Sequence, residues 1–228
     1  MRIALLAMIL LVLTGCSTNT PVQNQVPQTN NAPTTVHAAQ PTTLKELPPA
    51  EVREYKGKRL DSITDVRDVS IKGPQQVDIN TYKLEVTGLE VQPKTYTYDD
   101  ILALQHYTKE VTLHCTEGWT ADVLWEGVLL NDLIGDVKPE ANTLIFYSVD
   151  GYTTSLPLNY VTSNNIMLAY KINNITLTPD TGYPFMVVAE DKLGYKWAKW
   201  VTKIEVSSDS NYQGYWESRG YPNDAKLS

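Results

Sequence analysis

From Ser17 to Thr43 the chain carries no Asp, Glu, Lys or Arg and is built mainly from Ser, Thr, Asn, Gln, Pro and Ala. Such a stretch buries too little apolar surface to offset the entropy of ordering it. It reads as a flexible tether, with His37 solvated inside it, and it confines folding to the residues C-terminal to it. Charge returns at Lys45, in a run to Arg59 that suits a short helix or the polar end of the tether. The rest, about 170 residues, matches one domain with room for a substantial core.

The segment before the tether suggests export. Met1-Arg2 make a minimal positive start, Ile3 to Leu13 an almost unbroken apolar run, and Leu13-Thr14-Gly15-Cys16 ends it on small residues and a cysteine. That run is too short to span a bilayer as a stable helix but suits the core of a signal peptide. The order Leu-Thr-Gly-Cys resembles a bacterial lipobox, in which the cysteine becomes the new N-terminus and carries acyl chains. The expected organisation is a signal peptide over 1–15, a lipidated N-terminus and flexible linker over 16–58, and a domain over 59–228. Lipid on Cys16, at about 0.8 kcal/mol per buried methylene, would hold the protein on the extracytoplasmic face of the cell membrane.

Removing Arg2 with the signal leaves 18 of the 19 basic side chains against 26 acidic ones, a net of −8. That balance argues against nucleic acid as a partner, because phosphate backbones need a basic footprint. No internal repeat is present, and no further apolar stretch is long enough to cross a membrane.

Within the domain, strands alternate irregularly with short helices. Tyr82 to Thr87 alternates and stops at Gly88, as a half-buried strand does. Thr97 before Asp99-Asp100-Ile101-Leu102 has the hydroxyl and early carboxylates of a helix start. Val111 to His114 reads as a strand that delivers Cys115 at its end, and Leu129 to Ile134 as a helical turn closed by Gly135. Thr143 to Val149, Ile166 to Tyr170, Pro184 to Ala189 and Val201 to Ser207 are further apolar strands. Without a regular strand-helix alternation, the pattern indicates an α+β domain.

Cys115 is the single cysteine of the domain. It suits a buried core thiol, a nucleophile or a metal ligand. As a nucleophile it needs a base, yet His114 is its neighbour on a strand and should face the other way, which leaves only His106. One cysteine and two histidines are a thin set for zinc. A thiolate can still be one ligand of a soft metal whose other ligands come from a cofactor.

The segments taken together resemble the sulfite oxidase-type molybdopterin-binding oxidoreductases. The likeness rests on Cys115 with Glu117-Gly118-Trp119, Trp125-Glu126-Gly127-Val128, Asp150-Gly151-Tyr152 through Pro157, Leu168-Ala169-Tyr170 and Gly182-Tyr183-Pro184. It continues through Gly194 to Glu205 and Gly214 to Tyr221, so it spans roughly residues 60 to 224 in family order. The resemblance implies the molybdopterin-binding fold, with mixed, mainly-β sheets and short helices. It also implies a molybdopterin cofactor carrying molybdenum, with Cys115 as metal ligand and Tyr152 near the metal. Lys196 and Lys199 would hold the pterin phosphate, and Arg67 would contact cofactor or substrate.

Departures from the family bear on chemistry. Many sulfite oxidases read His-Gly-x-Pro-x-Arg where this chain has Thr181-Gly182-Tyr183-Pro184-Phe185-Met186, so two cofactor-contacting side chains are replaced. Between Arg67 and Arg219 there is no arginine, which disfavours a doubly charged oxyanion and leaves a small neutral or weakly charged substrate. With the chain ending at Ser228, no haem or additional dimerisation domain is expected, and electrons would pass to a separate partner. Molybdopterin enzymes usually cross the membrane folded under a twin-arginine signal, and Arg2 has no second arginine before Arg53. The alternative is therefore a cofactor-free surface binding module that retains the fold.

Overall fold

Alternating apolar and polar residues fold into two five-stranded sheets, seen in a computed structural model that describes residues 49–227. The proposed signal peptide, the lipidation site Cys16 and the tether up to residue 48 lie outside the described residues. In chain order the elements are β1 (Glu54–Tyr55), β2 (Lys58–Arg59), β3 (Leu84–Gly88), β4 (Lys94–Tyr96), α1 (Tyr98–Leu102), β5 (Tyr107–His114) and β6 (Thr120–Leu129). They continue with α2 (Leu130–Ile134), β7 (Thr143–Ser148), β8 (Thr153–Pro157), α3 (Leu158–Ser163), β9 (Met167–Ile172), β10 (Ile175–Thr176), β11 (Met186–Val188) and β12 (Val201–Ser207).

One sheet runs β10-β9-β6-β5, with β11 also paired to β9, and all of its pairings are antiparallel. The other runs β4-β3-β12-β7-β8 and is antiparallel except where β12 lies parallel to β3. Strands of both sheets, with only short helices between them, make the α+β class and the mixed, mainly-β architecture that the sequence leads one to expect. The shared core contains Leu84, Val86, Val123, Trp125, Phe146, Leu168, Phe185 and Ile204, all buried. Each such side chain stabilises the fold by about 1.5–3 kcal/mol relative to exposure.

Local chemistry explains the element ends. Thr97 and Asp100 cap α1 reciprocally, the hydroxyl taking the Asp100 amide at 3.1 Å and the carboxylate taking the Thr97 amide at 2.8 Å. Gly135, at φ +65°, closes α2 where a side chain would be strained. A register shift between Glu126 and Gly127 marks an irregularity where β6 passes β9.

The segment 49–58 differs from the linker expected there. Its described part is neither a helix nor a tether: β1 and β2 form a hairpin, and the segment before it is bonded to the domain. The Val52 amide donates to the Asn173 carbonyl at 2.9 Å, and Glu51 accepts from the Ile63 amide at 2.7 Å. The domain therefore begins before residue 59. Its polar composition looks like a tether, but its backbone and carboxylate find partners in the turn after β9 and in the 3-10 turn at Ile63–Asp65. Among the described residues no helix is long and apolar enough to cross a membrane.

Candidate active site

β5 ends at His114, and the chain turns at once. The Cys115 amide donates to the Trp119 carbonyl at 2.9 Å and the Gly118 amide to the Cys115 carbonyl at 3.1 Å, with Gly118 at φ +87°. This tight loop lifts the thiol off the sheet and into a cleft. The second wall is the β7–β8 turn, where the Ser148 amide donates to Tyr152 and the Gly151 amide to Ser148, each at 3.0 Å. Gly194, Tyr195, Trp197, Lys199, Trp200 and the start of β11 at Met186 form the floor. The strap Val66–Ile71 closes one side, and Trp216 and Tyr221 close the other.

Cys115 is a free, half-buried thiol. Burial raises its pKa above the ordinary cysteine value; the Glu117 amide, which donates to Sγ at 3.4 Å, and the Lys199 charge pull it back. The nucleophile reading finds no base here. Neither His114 nor His106 lines the cleft, and the pairing of Thr112 with Asp122 and of His114 with Thr120 puts His114 on the face opposite Leu113, as alternation requires. The thiol is also not a sealed core side chain, since it borders the cleft. Among the described residues no three His, Cys, Asp or Glu side chains gather to hold a metal, so a metal at Cys115 would need its other ligands from outside the protein.

Four of the expected site residues, Arg67, Cys115, Tyr152 and Lys199, line this one cleft. Arg67 is exposed on the strap. The Tyr152 hydroxyl donates to the Tyr195 carbonyl, and burial pushes its pKa up, so it stays protonated. Lys199, at 12% exposure, donates to Asp68 Oδ1 at 2.8 Å and to the Asp180 carbonyl at 2.7 Å. Its ammonium pKa is lowered by burial, against the pull of Asp68. Two of its three donors are engaged and one is left to meet a ligand.

Lys196 departs from the expectation. It does not line the cleft: its ammonium is buried and bonded to Glu217, to the Ser155 carbonyl at 3.0 Å and to Asn223 Oδ1 at 2.8 Å, which uses all three donors. The Thr154 hydroxyl also donates to Glu217, at 2.6 Å. The two lysines are three residues apart on an irregular turn, and the 3-10 geometry of Gly194–Lys196 sends the first into the protein. The cleft also has no Arg or His at the two replaced family positions. Met186 is buried on its floor, and the Thr181 hydroxyl takes the Thr178 amide at 2.7 Å.

Ser148, Asp150 and the strap residues around Arg67 (Val66, Val69, Ser70 and Ile71) contribute to the cleft without having been anticipated. Asp150 is buried and holds the Tyr152 amide at 2.9 Å. Ser148 Oγ and Trp119 Nε1 are both out of water and without a hydrogen-bond partner. By contrast, the indoles of Trp125, Trp197 and Trp200 donate to the carbonyls of Val111, Lys192 and Pro179 at 3.1, 3.0 and 2.8 Å. A half-buried thiol, a lysine with a donor to spare and two unsatisfied neutral donors fit a large polar cofactor with a sulfur-binding metal. Sequence alone offers no signal for Ser148, because its role depends on the turn C-terminal to it.

The family pattern described as oxidoreductase molybdopterin binding domain matches residues 71–216. An uncharacterized oxidoreductase, YuiH, of Bacillus subtilis is 34% identical over 151 residues, covering 65% of this chain and 76% of that protein. A putative protein-methionine-sulfoxide reductase subunit of Azospira oryzae, YedZ1, is 32% identical over 64% of this chain and 56% of its own length. The sulfite oxidase of Arabidopsis thaliana is 28% identical over 63% of this chain and 46% of its own. The crystal structure of the sulfane dehydrogenase SoxCD from Paracoccus pantotrophus superposes with a TM-score of 0.59 at 24% identity, over 62% of this chain and 42% of that one, a likeness of fold. The chain thus matches about three quarters of the Bacillus protein and about half of the others.

Proposed function

Because the chain belongs to the family of oxidoreductase molybdopterin binding domains, whose cofactor is molybdopterin with molybdenum, we propose that it is an oxygen-atom-transferring oxidoreductase with Cys115 as the protein's ligand to the metal. In this reading Cys16 carries the lipid that anchors the domain on the extracytoplasmic face, and electrons are exchanged with a separate protein. The observation that carries the proposal is the half-buried free thiol of Cys115, which shares its cleft with a lysine and with two unpartnered donors.

The bound group supplies two-electron oxygen-atom exchange with the substrate. The residues do the rest. Cys115 would hold the metal as a thiolate, the metal's charge offsetting the burial that raises the pKa of the free thiol. Lys199 can offer its remaining donor to the pterin phosphate, while Asp68 holds it in place. Tyr152 keeps its proton and borders the space left for substrate. Indoles and tyrosines on both walls exclude water. The Lys199 charge is matched by Asp68, Asp150 is buried in the wall, and only Arg67 on the strap adds positive charge. That balance suits a small neutral or weakly charged substrate better than a doubly charged oxyanion.

Metal analysis of the protein purified from its native membrane tests the reading. About one molybdenum per chain is expected. A metal-free native protein would leave the cofactor-free binding module instead. The anchor is tested separately: Cys16→Ala should release the protein from the membrane fraction, and a variant that stayed bound at high salt would refute a lipid tether.

A further inference from the structure

Between the buried Val66 and the core-packed Val77 runs the strap that closes one side of the cleft. Among the described residues, no main-chain hydrogen bond joins residues 67–76 to the rest of the chain. Two side-chain bonds stay within the strap, from Ser70 Oγ to Asp68 Oδ2 at 2.8 Å and from Gln75 Nε2 to the Gly73 carbonyl at 2.7 Å. Among the same residues one hydrogen-bonded contact leaves it: Lys199 Nζ, on the cleft floor, donates to Asp68 Oδ1 at 2.8 Å, the two side chains being 12% and 16% exposed. Arg67, Val69, Ser70 and Ile71 all line the cleft, yet none of them belongs to the apolar core. Lys72 Nζ lies 3.6 Å from where a Cβ on Gly151 would stand, so the strap reaches the β7–β8 turn. A segment held at its two ends, with no main-chain bonds between them, opens at low cost.

We propose that residues 67–76 form a lid over the cleft and that the Asp68–Lys199 ion pair is its latch. Val66 and Val77 are the fixed ends, held by the core on either side of the lid. The latch is mostly out of water, so salt screens it less than a surface pair, and each opening strips a buried ammonium of its carboxylate. Lys199 also donates to the Asp180 carbonyl, which keeps it on the floor when the strap lifts. Opening uncovers one side of the space beside Cys115, and closing returns Arg67, Val69 and Ile71 to its wall. The lid belongs to the chain without its cofactor and stands whatever the cleft binds. Under the cofactor reading, the lysine that meets the pterin phosphate is also the one that shuts the lid over it.

Thiol labelling tests the lid in the full chain carrying Cys16→Ala, prepared in a host unable to make molybdopterin, where Cys115 is the one remaining cysteine. N-ethylmaleimide and the wider pyrenyl maleimide are both uncharged and share one reacting group, so their rate ratio cancels any change in thiolate fraction. Lid opening is fast against labelling, and the wide reagent's rate follows the open population. Asp68→Ala and Lys199→Met each remove the latch, the second without leaving a buried cation. Each should raise the ratio of wide to narrow labelling about tenfold, and the double variant should raise it no further than the singles. Trypsin locates the opening, because Arg67 and Lys72 are the strap's only cleavage sites. Nicking there should speed by a similar factor while nicking at exposed Lys56, in the β1–β2 turn, stays unchanged. A labelling ratio unchanged in either single variant overturns the latch. Equal acceleration at Lys56 and Lys72 overturns the lid, since the whole domain would then have loosened. None of these outcomes involves molybdenum, so the lid can fail while the cofactor reading holds, and hold while that reading fails.

Discussion

The two ends of the cleft treat their buried polar groups differently. At the C-terminal wall, Lys196 has all its donors bonded, and its ion pair with Glu217 ties residues 216–223 to β8 and the 194–196 turn. At the cysteine turn and the β7–β8 turn, an indole N–H and a serine hydroxyl have no hydrogen-bond partner, and the free thiol accepts from the Glu117 amide at 3.4 Å. Lys196, with every donor bonded, holds structure in place, although Glu217 Oε2 beside it has no partner, whereas the cysteine and β7–β8 turns leave neutral donors unpaired. Two lysines of one turn fall on opposite sides of that division, because Lys199 keeps a donor in the cleft and Lys196 keeps none.

Breaking the closed end should have the largest effect. Lys196→Ala leaves Glu217 buried and uncompensated, so a loss of about 3–5 kcal/mol in urea unfolding is expected. A loss under about 1 kcal/mol would mean that the pair does not brace this wall. A Lys196→Met, Glu217→Leu double variant should recover much of that loss, since apolar groups of similar size can replace a buried ion pair.

At the open end the effects should fall on cofactor and not on folding. Lys199→Ala should weaken retention of molybdopterin by roughly tenfold or more, as expected for a lost charge-assisted bond of about 1.5–3 kcal/mol. Met186→Arg, which restores a cation on the floor, should strengthen it. Cofactor per chain after gel filtration reads both. Equal content in wild type and Lys199→Ala would reduce that lysine to a partner of Asp68.

The smallest effect concerns protons. Burial raises the Cys115 pKa, so in cofactor-free protein iodoacetamide should alkylate it more slowly than free cysteine near neutral pH, with the rate climbing only as pH passes the ordinary thiol value of about 8.5. Lys199 lowers that pKa, and Lys199→Ala should therefore shift the profile further toward alkaline pH. A profile unmoved by the substitution would remove Lys199 from the thiol's electrostatic surroundings.

How much the sequence could reveal depends on how local each feature is. The capped start of α1, the stop at Gly135 and the span of β12 depend on neighbouring residues, and all were legible. β6 was not, although at ten residues it is a long strand, because buried Val123, Leu124 and Trp125 interrupt the alternation. The cleft position of Arg67, Cys115, Tyr152 and Lys199 came from a family likeness. Lys196 did not, since its direction depends on Glu217, Ser155 and Asn223, each more than twenty residues away. Ser148 carried no signal until a turn buried it.

The central claim is that Cys115 binds the metal, and X-ray absorption at the molybdenum edge addresses it most directly. Wild type and Cys115→Ser are loaded in parallel, and their folds are compared by unfolding, where a difference within about 1 kcal/mol is expected for a cleft position. The account predicts that the variant loses turnover and that any molybdenum it retains shows one fewer sulfur neighbour than in wild type. An unchanged sulfur count with unchanged turnover would contradict it.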